Sequence, residues 1–390
     1  MSSPLVTGTR GICLRCFGRA FGKEGSGFTN LERGSNFLSS NRDKLEQNGY
    51  VLTSDEKCSI CNGLFQNFDK YYDMISADLA KIEFNTILVG STFDQETLSA
   101  ESAFQEIFGN LGESIKKEFN REFGKYLSDR TGKGADLAEP DLTVLMDLRY
   151  DSYKLQNRSV FVYGTYRKLR RDIPQTRWIH RKDVDASVES IIGEVFKEMT
   201  EGRNYFLHGA GREDVDVRML GNGREFIIEC TEPRRRSVSL EFLKQTVNAG
   251  NHGVEIDGLR FANKSDVVGI KGSTHDKSYR VTVNFTGTVN AEQLQYAAEK
   301  LSGKDIYQRT PLRVSTRRSD LIRKKSIRSV SVEEIGSDTA VIRIRAEAGT
   351  YIKELVNGDE GRTEPSLAQL YGGPLQVNSL DVVWIHRNGD

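Results

Sequence analysis

The stretch Phe206-Leu-His-Gly-Ala-Gly-Arg-Glu-Asp-Val-Asp-Val-Arg-Met-Leu220 crowds Arg212, Glu213, Asp214, Asp216 and Arg218 into seven positions, flanked by glycines and apolar residues. If it enters a strand, period-two alternation sets Arg212, Asp214, Asp216 and Arg218 on one face and Glu213, Val215 and Val217 on the other. Carboxylates interleaved with guanidinium groups can hold one carboxylate ionised and fixed, ready to act as nucleophile, base or electrostatic stabiliser. The bland alternative is a surface ion-pair ladder. Magnesium on Glu213, Asp214 and Asp216, as in a metal-dependent RNA phosphodiesterase, is weakened by the same alternation, which sends Glu213 away from the other two. Gly209-Ala-Gly211 lacks the remainder of any phosphate-loop pattern, so nucleotide binding has only weak support. His208, His252, His275 and His386 are scattered and Cys230 has no basic surroundings. The candidate chemistry narrows to an Asp.

Working outward, the alternating runs Phe226 to Cys230, Ser278 to Phe285, Thr339 to Ala346 and Ser379 to Ile385 predict a largely antiparallel sheet with helices packed on it. One such helix is marked by Val188, Ile191, Ile192, Val195, Phe196 and Met199. Upstream, Leu64, Phe65, Phe68, Tyr72, Ile75 and Leu79 recur at helical spacing, and a second helix is expected from Phe104 to Leu127. Between and after them, Thr86 to Gly90, Leu142 to Leu148 and Ser159 to Tyr163 read as strands. The fold class is α+β. A chain of 390 residues has the length of about two domains, and the division is placed at 1–180 and 181–390.

With 55 Lys/Arg against 55 Asp/Glu the net charge is zero, which excludes a uniformly basic coat. The balance is uneven along the chain: residues 1–150 carry 17 against 22, a net of −5, and the remainder carries 38 against 33, a net of +5. Two blocks concentrate the cations. Arg167, Lys168, Arg170, Arg171, Arg177, Arg181 and Lys182 stand against Asp172; Arg309, Arg313, Arg317, Arg318, Arg323, Lys324, Lys325 and Arg328 stand against Asp320. Such blocks suit a polyanion gripped through its phosphates, most simply a nucleic acid. No run approaches the roughly 20 apolar residues of a membrane span, and the first residues lack a secretory core, so a cytoplasmic location is expected. No obligate protein partner is marked.

Cys13-Leu-Arg-Cys16 and Cys58-Ser-Ile-Cys61 are two C-x-x-C pairs with 41 residues between them. Two such turns complete a closed tetrahedral shell, the arrangement of structural zinc, and leave no vacancy for a catalytic water. A disulfide or redox pair fits a cytosolic chain with two matching motifs less well.

Tyr163-Gly-Thr-Tyr-Arg-Lys-Leu-Arg-Arg-Asp-Ile-Pro-Gln-Thr-Arg-Trp178 closely resembles the segment closing the THUMP-containing amino-terminal domain of the archaeal tRNA pseudouridine(54/55) synthase family. The four cysteines match the zinc site of that domain. Gly211-Arg-Glu-Asp-Val-Asp216 resembles the pseudouridine synthase motif in which an Arg is followed two positions on by the catalytic Asp. That resemblance implies Asp214, not Asp216, as the catalytic residue and Arg212 as a substrate-binding one. Lys277-Ser-Tyr279 resembles the motif whose Tyr stacks on the target base, and Gly349-Thr-Tyr-Ile-Lys353 the one supplying a substrate-contacting Tyr351 and a basic Lys353 that pairs with the catalytic Asp. Gln308-Arg-Thr-Pro-Leu-Arg-Val-Ser-Thr-Arg-Arg318 and Gly358-Asp-Glu-Gly-Arg-Thr-Glu-Pro-Ser366 are further family-like segments. The first departs at Ser315-Thr316, where the family pattern has a His. The resemblance implies a zinc-bearing THUMP-type RNA-binding module followed by a pseudouridine synthase domain. Its expected activity is isomerisation of uridine in the TΨC loop of tRNA, at positions 54, 55 or both, a reaction without redox change or energy input that implies no organic cofactor, with Arg167, Lys168, Arg170, Arg171, Arg177, Arg317 and Arg318 contacting RNA. A non-catalytic tRNA-binding or folding protein with the same basic surfaces is the alternative.

Overall fold

The structure, a computed structural model, describes residues 9–177, 186–316 and 318–387; Arg181, Lys182 and Arg317 lie outside the described residues. Two compact units divide the chain: Met1–Arg158 with Glu232–Arg236, and Ser159–Thr231 with Ser237–Asp390.

The amino-terminal unit runs β1 (Arg10–Cys13), α1 (Leu14–Arg19), α2 (Asn30–Gln47), β2 (Tyr50–Thr53), α3 (Phe68–Leu79), β3 (Thr86–Thr92), α4 (Gln95–Ile107), α5 (Ile115–Thr131), β4 (Gly134–Ala135), β5 (Leu142–Asp147) and β6 (Ser152–Asn157). β1 and β2 pair in parallel, and a separate sheet has the order β4-β3-β5-β6. Its core is rich in aromatic rings: Phe17, Phe104, Phe119 and Phe123 are fully buried. The single helix expected from Phe104 to Leu127 is two helices. Gly109 and Asn110 adopt positive φ (79° and 58°), which ends α4, and the Ser114 side chain accepts from Lys117 N to start α5. Apolar spacing carried across the break because both helices pack on one core.

The carboxyl-terminal unit contains β7 (Val160–Lys168), α6 (Val188–Thr200), β8 (Asn204–Gly209), β9 (Val217–Thr231), α7 (Leu240–Ala249), β10 (Val254–Ala262), α8 (Lys264–Gly272), β11 (Asp276–Phe285) and α9 (Ala291–Leu301). It continues with β12 (Asp305–Arg309), β13 (Ile322–Ile335), β14 (Thr339–Ala346), α10 (Ile352–Asn357), β15 (Thr363–Glu364), α11 (Leu367–Tyr371) and β16 (Leu375–His386). One ten-stranded sheet of order β10-β7-β9-β16-β11-β14-β13-β12-β15, with β8 also on β9, spans the unit. All its pairings are antiparallel except β16 with β9, where Leu380, Asp381 and Val382 face Val217, Arg218 and Met219. The expected α+β class, with a largely antiparallel sheet flanked by helices, is what the molecule has.

β7 is the reason the units part at Arg158 and not near residue 180. It pairs along its length with β9 on one side and β10 on the other, so the first cationic block begins inside the sheet of the carboxyl-terminal unit. Among the described residues no helix is long and apolar enough to cross a membrane.

Candidate active site and cysteine cluster

Residues 210–216 form the loop between β8 and β9, not the continuous strand the alternation suggested. Gly211 turns it, with φ +90° and a position where a Cβ would lie 2.9 Å from Arg224 Nη1. The separation of faces survives nonetheless. Glu213 points inward and is buried: its carboxylate accepts from Tyr166 Oη at 2.8 and 2.9 Å and lies 2.8 Å from Arg224 Nε. Arg224 is itself buried and donates to Ala210 O at 2.7 Å. Asp214 and Asp216 point the other way.

Asp214 opens into a cavity of about 340 Å³ that is also lined by Arg212, Lys277, Tyr279, Arg313, Arg318, Tyr351 and Lys353. The Asp214 carboxylate lies 2.9 Å from Arg313 Nη1 and 3.4 Å from Lys353 Nζ. Lys353 sits closer to Asp216, at 2.8 and 2.9 Å from its two oxygens. Among the described residues the cation nearest Asp214 is therefore Arg313, with Lys353 bridging the two aspartates. Burial disfavours ionisation of Asp216, but its contacts with Lys353 prevail and hold it below the usual range. Arg313 is oriented in turn by Glu354, whose Oε1 lies 2.6 Å from its Nε.

Tyr351 precedes α10, and Gln308 on β12 fixes its main chain from both sides, donating to Tyr351 O and accepting from Tyr351 N, each at 2.9 Å. Its hydroxyl accepts from Arg318 Nη1 at 3.3 Å. Tyr279, on β11, is 7% exposed, and burial pushes its hydroxyl up to about 12, so it stays neutral. Lys277, two residues earlier, is pushed down to about 8 by burial and by the nearby Arg224 charge. The fold thus gathers Arg212, Asp214, Tyr279, Tyr351, Lys353 and Arg318 around one cavity. No site role for Arg224 or Gln308 is marked in the sequence; Glu213 enters there only as a candidate magnesium ligand and Arg313 only as a cation of the second block, although Gln308 and Arg313 lie in one of the family-like segments. Among the described residues Glu213, Asp214 and Asp216 do not gather as a metal site.

The cations assigned to RNA contact separate. Arg170 is exposed, as is the substrate-binding candidate Arg212; Arg167 pairs with Glu255, and Arg177 lies 3.5 Å from Glu194. Arg171 donates to Asp216 O and Leu380 O and pairs with Asp381. Lys168 is a correction: it is fully buried, and its ammonium is spent on main-chain carbonyls, so it cannot meet a phosphate.

In the amino-terminal unit the four expected cysteines converge. Cys13 caps α1 and Cys16 lies in its first turn, while Cys58 and Cys61 flank a tight turn. All four are buried, and their sulfur atoms lie within 4.8 Å of one another. Burial, and then the neighbouring thiols, push the Cys16 thiol well above its ordinary value. Four thiols so packed make a donor set suited to a soft or borderline metal cation, whose charge would offset that of the thiolates. Arg19 stands behind them, buried, with Nη2 3.3 Å from Cys16 Sγ and ion pairs of 2.9 Å to both Glu101 and Glu118.

Comparison with known proteins bears on both units. Residues 161–386 match the family model described as Pus10, C-terminal, and residues 71–147 the archaeal Pus10 THUMP domain. The chain belongs to the Pus10 family. Proteins named tRNA pseudouridine synthase Pus10 from Thermoplasma acidophilum and Picrophilus torridus are each 48% identical to it, over 97% of both chains. One from Pyrococcus furiosus is 38% identical over 95% of this chain and 94% of its own. Pus10 proteins of this kind are pseudouridine synthases, so the chain is an RNA-modifying isomerase. A solved Cbf5-Nop10-Gar1 complex overlaps 49% of this chain and 43% of its own at 17% identity, with a TM-score of 0.30, too slight an overlap to carry an argument. The Pus10 carboxyl-terminal match begins at Phe161, inside β7, and the Pus10 THUMP match runs from α3 to β5.

Proposed function

We propose that this chain isomerises uridine to pseudouridine in the T arm of tRNA, at position 54, 55 or both, with Asp214 as the catalytic carboxylate. The observation carrying this reading is the Asp214 carboxylate held beside Arg313 and Lys353 in a cavity walled by Tyr279 and Tyr351. Isomerisation breaks the N1–C1′ bond, turns the uracil and joins C5 to C1′; C5 gives up its proton and N1 gains one. Asp214 either adds to C1′ or takes a ribose proton, and in both routes it acts through the carboxylate that Arg313 and Lys353 flank. A base reaches such a cavity only by leaving its stack. Tyr279 and Tyr351 are the aromatic surfaces against which the extruded base packs, and such stacking contributes about 1–3 kcal/mol. Arg212, exposed at the rim, and Arg318 are placed to hold phosphates. The preference for the T arm rests on the family resemblance, as does the cytoplasmic setting in which tRNA is modified.

The metal we propose for Cys13, Cys16, Cys58 and Cys61 is zinc. Four thiolates with no open position would make it an ion that holds the amino-terminal fold together.

Tritium release from C5-labelled uridine in tRNA tests the reading. The wild type should release it and Asp214→Asn should not; release by Asp214→Asn would show that another group carries the reaction. Carbodiimide primer extension on a treated transcript then identifies the position modified. Tight tRNA binding without isomerisation by the wild type would favour the non-catalytic alternative.

A further inference from the structure

We propose that Lys168 is a positioning residue for the reaction, holding the main chain beneath Asp214 so that its carboxylate meets the substrate in one geometry. The proposal rests on Asp214 being the reacting carboxylate. Lys168 ends β7 and is 0% exposed. Its Nζ donates to Ile173 O at 2.8 Å, Val215 O at 3.0 Å and Asp214 O at 3.2 Å. An ammonium has three N–H donors, and all three are matched to carbonyls. Burying an ammonium is costly, and an apolar side chain would fill the same space without that cost. What the ammonium adds is direction: it draws two consecutive carbonyls of the 210–216 loop to a point fixed by the central sheet.

Lys168 does not act alone. Asp172 N donates to Val215 O at 3.0 Å, Arg171 Nη1 to Asp216 O at 2.7 Å, and Gln175 Nε2 to Gly211 O at 3.0 Å. Residues 168–175 thus send donors to Gly211, Asp214, Val215 and Asp216, while Tyr166 and Arg224 hold Glu213 from below. The loop lacks a sheet partner between β8 and β9, and this bracket takes the partner's place. Lys168 is its centre because, of residues 168–175, it is the one that donates to Asp214 O, an oxygen that also accepts from Val217 N at 3.1 Å. Burial pushes its ammonium below the ordinary lysine value, while Glu213 and Asp216 work in the opposite direction.

Lys168→Met keeps the stem and removes the donors. In single-turnover assays at saturating enzyme it should isomerise uridine about 100-fold more slowly, the scale of loss from a misplacement of about 1 Å at a reacting group. Its Kd for tRNA should stay within about threefold of wild type, since no phosphate reaches Lys168. Lys168→Gln, which retains an amide donor, should recover part of the rate. Should the Met variant fail to accumulate folded protein, the Gln variant, read by rate and Kd, decides alone. A wild-type rate in a folded variant overturns the proposal, and so does a loss of rate matched by an equal loss of tRNA affinity, which marks a merely structural role. Asp214→Asn is run alongside. If it stays active, the assignment of Asp214 falls and this proposal with it; if it is dead while Lys168→Met runs at the wild-type rate, only the bracket falls.

Discussion

Each unit buries a guanidinium behind the side chains proposed to function, and the two arrangements differ in what they support. Arg19, 1% exposed, lies between Glu101 and Glu118 and touches Cys16 Sγ. Arg224, 2% exposed, pairs with Glu213 and donates to Ala210 O beneath Asp214. In the first case the four sulfur atoms are buried and turn toward one another, so no substrate has access. In the second the Asp214 carboxylate is 40% exposed and faces a cavity. A desolvated ion pair makes a rigid support in both places, because moving either charge would leave the other buried alone. Whether the supported group closes on itself or opens outward is what separates a structural site from a reacting one.

The largest effect expected is on the closed site. Metal removal by a chelator should unfold the amino-terminal unit, since binding at four-cysteine and related zinc sites is worth on the order of 10 kcal/mol of folding free energy. Colorimetric release should count about one zinc per chain. A protein that melts unchanged after chelation would break the comparison on that side. Next comes Asp214→Asn, expected to slow isomerisation by about 10⁴-fold or more, about 5.5 kcal/mol, with the melting temperature little moved. Arg19→Met follows: it leaves the buried Glu101 carboxylate without its cation and Glu118 with Arg15 alone, 3.2 Å away, and should cost about 3–5 kcal/mol in denaturant melts. A cost under about 1 kcal/mol would mean that the two supports are not alike.

The open site offers a finer discrimination. Arg313→Met should lower the isomerisation rate about 100-fold, or about 2.7 kcal/mol, the low end for removing one preorganised donor. Lys353→Met should lower it less, because Lys353 lies 3.4 Å from Asp214 and makes its shorter contacts to Asp216. Single-turnover rates of the two variants settle their order, and a larger loss in Lys353→Met would return the principal pairing to the lysine.

How far these sites were legible in the sequence follows from the range of the signals. The C-x-x-C turns are local, and each fixes half of the cluster before any folding, so all four cysteines could be named. The alternating runs over β9, β11, β14 and β16 likewise reported the sheet, because period-two burial is written residue by residue. Asp214, Tyr279, Tyr351 and Lys353 carried family-like motifs. Arg313 shows in the sequence as a cation of a charged block and a member of a family-like segment, but its pairing does not show, since its partner Asp214 is 99 residues away and no local pattern marks the pair. Lys168 was misread for a related reason. A cation among cations looks solvated, and only the pairing of β7 between β9 and β10 turns its side chain into the interior. The break after α4 was hidden because apolar spacing reports the shared core and says nothing of the main chain between two helices.

The smallest effect expected concerns a carboxylate that belongs to neither support but adjoins the open one. Asp381 on β16 faces Arg218 on β9 and is 5% exposed. Arg218 reaches it with Nε at 2.9 Å and Nη2 at 2.6 Å, and Arg171 Nη2 lies 2.7 Å away. Burial alone would raise the affinity of Asp381 for a proton, yet the two arginines prevail and hold it below the ordinary range. Asp381→Asn keeps the shape and removes the charge, and should cost about 1.5–3 kcal/mol near neutral pH, the scale of a hydrogen bond to a charged group. A carboxylate whose proton affinity is lowered by folding contributes stability that is fully present above about pH 4, the ordinary Asp value, and is lost as pH falls through its lower folded value. The gap between wild type and Asp381→Asn in denaturant melts should therefore hold steady from pH 7 to about pH 5 and narrow toward pH 3. Because Arg171 also donates to Asp216 O, the variant should slow isomerisation modestly as well, by about threefold to tenfold. A stability gap independent of pH, with an unchanged rate, would mean that Asp381 braces the sheet through shape alone and that the support of the open site stops at Glu213, Arg224 and Lys168.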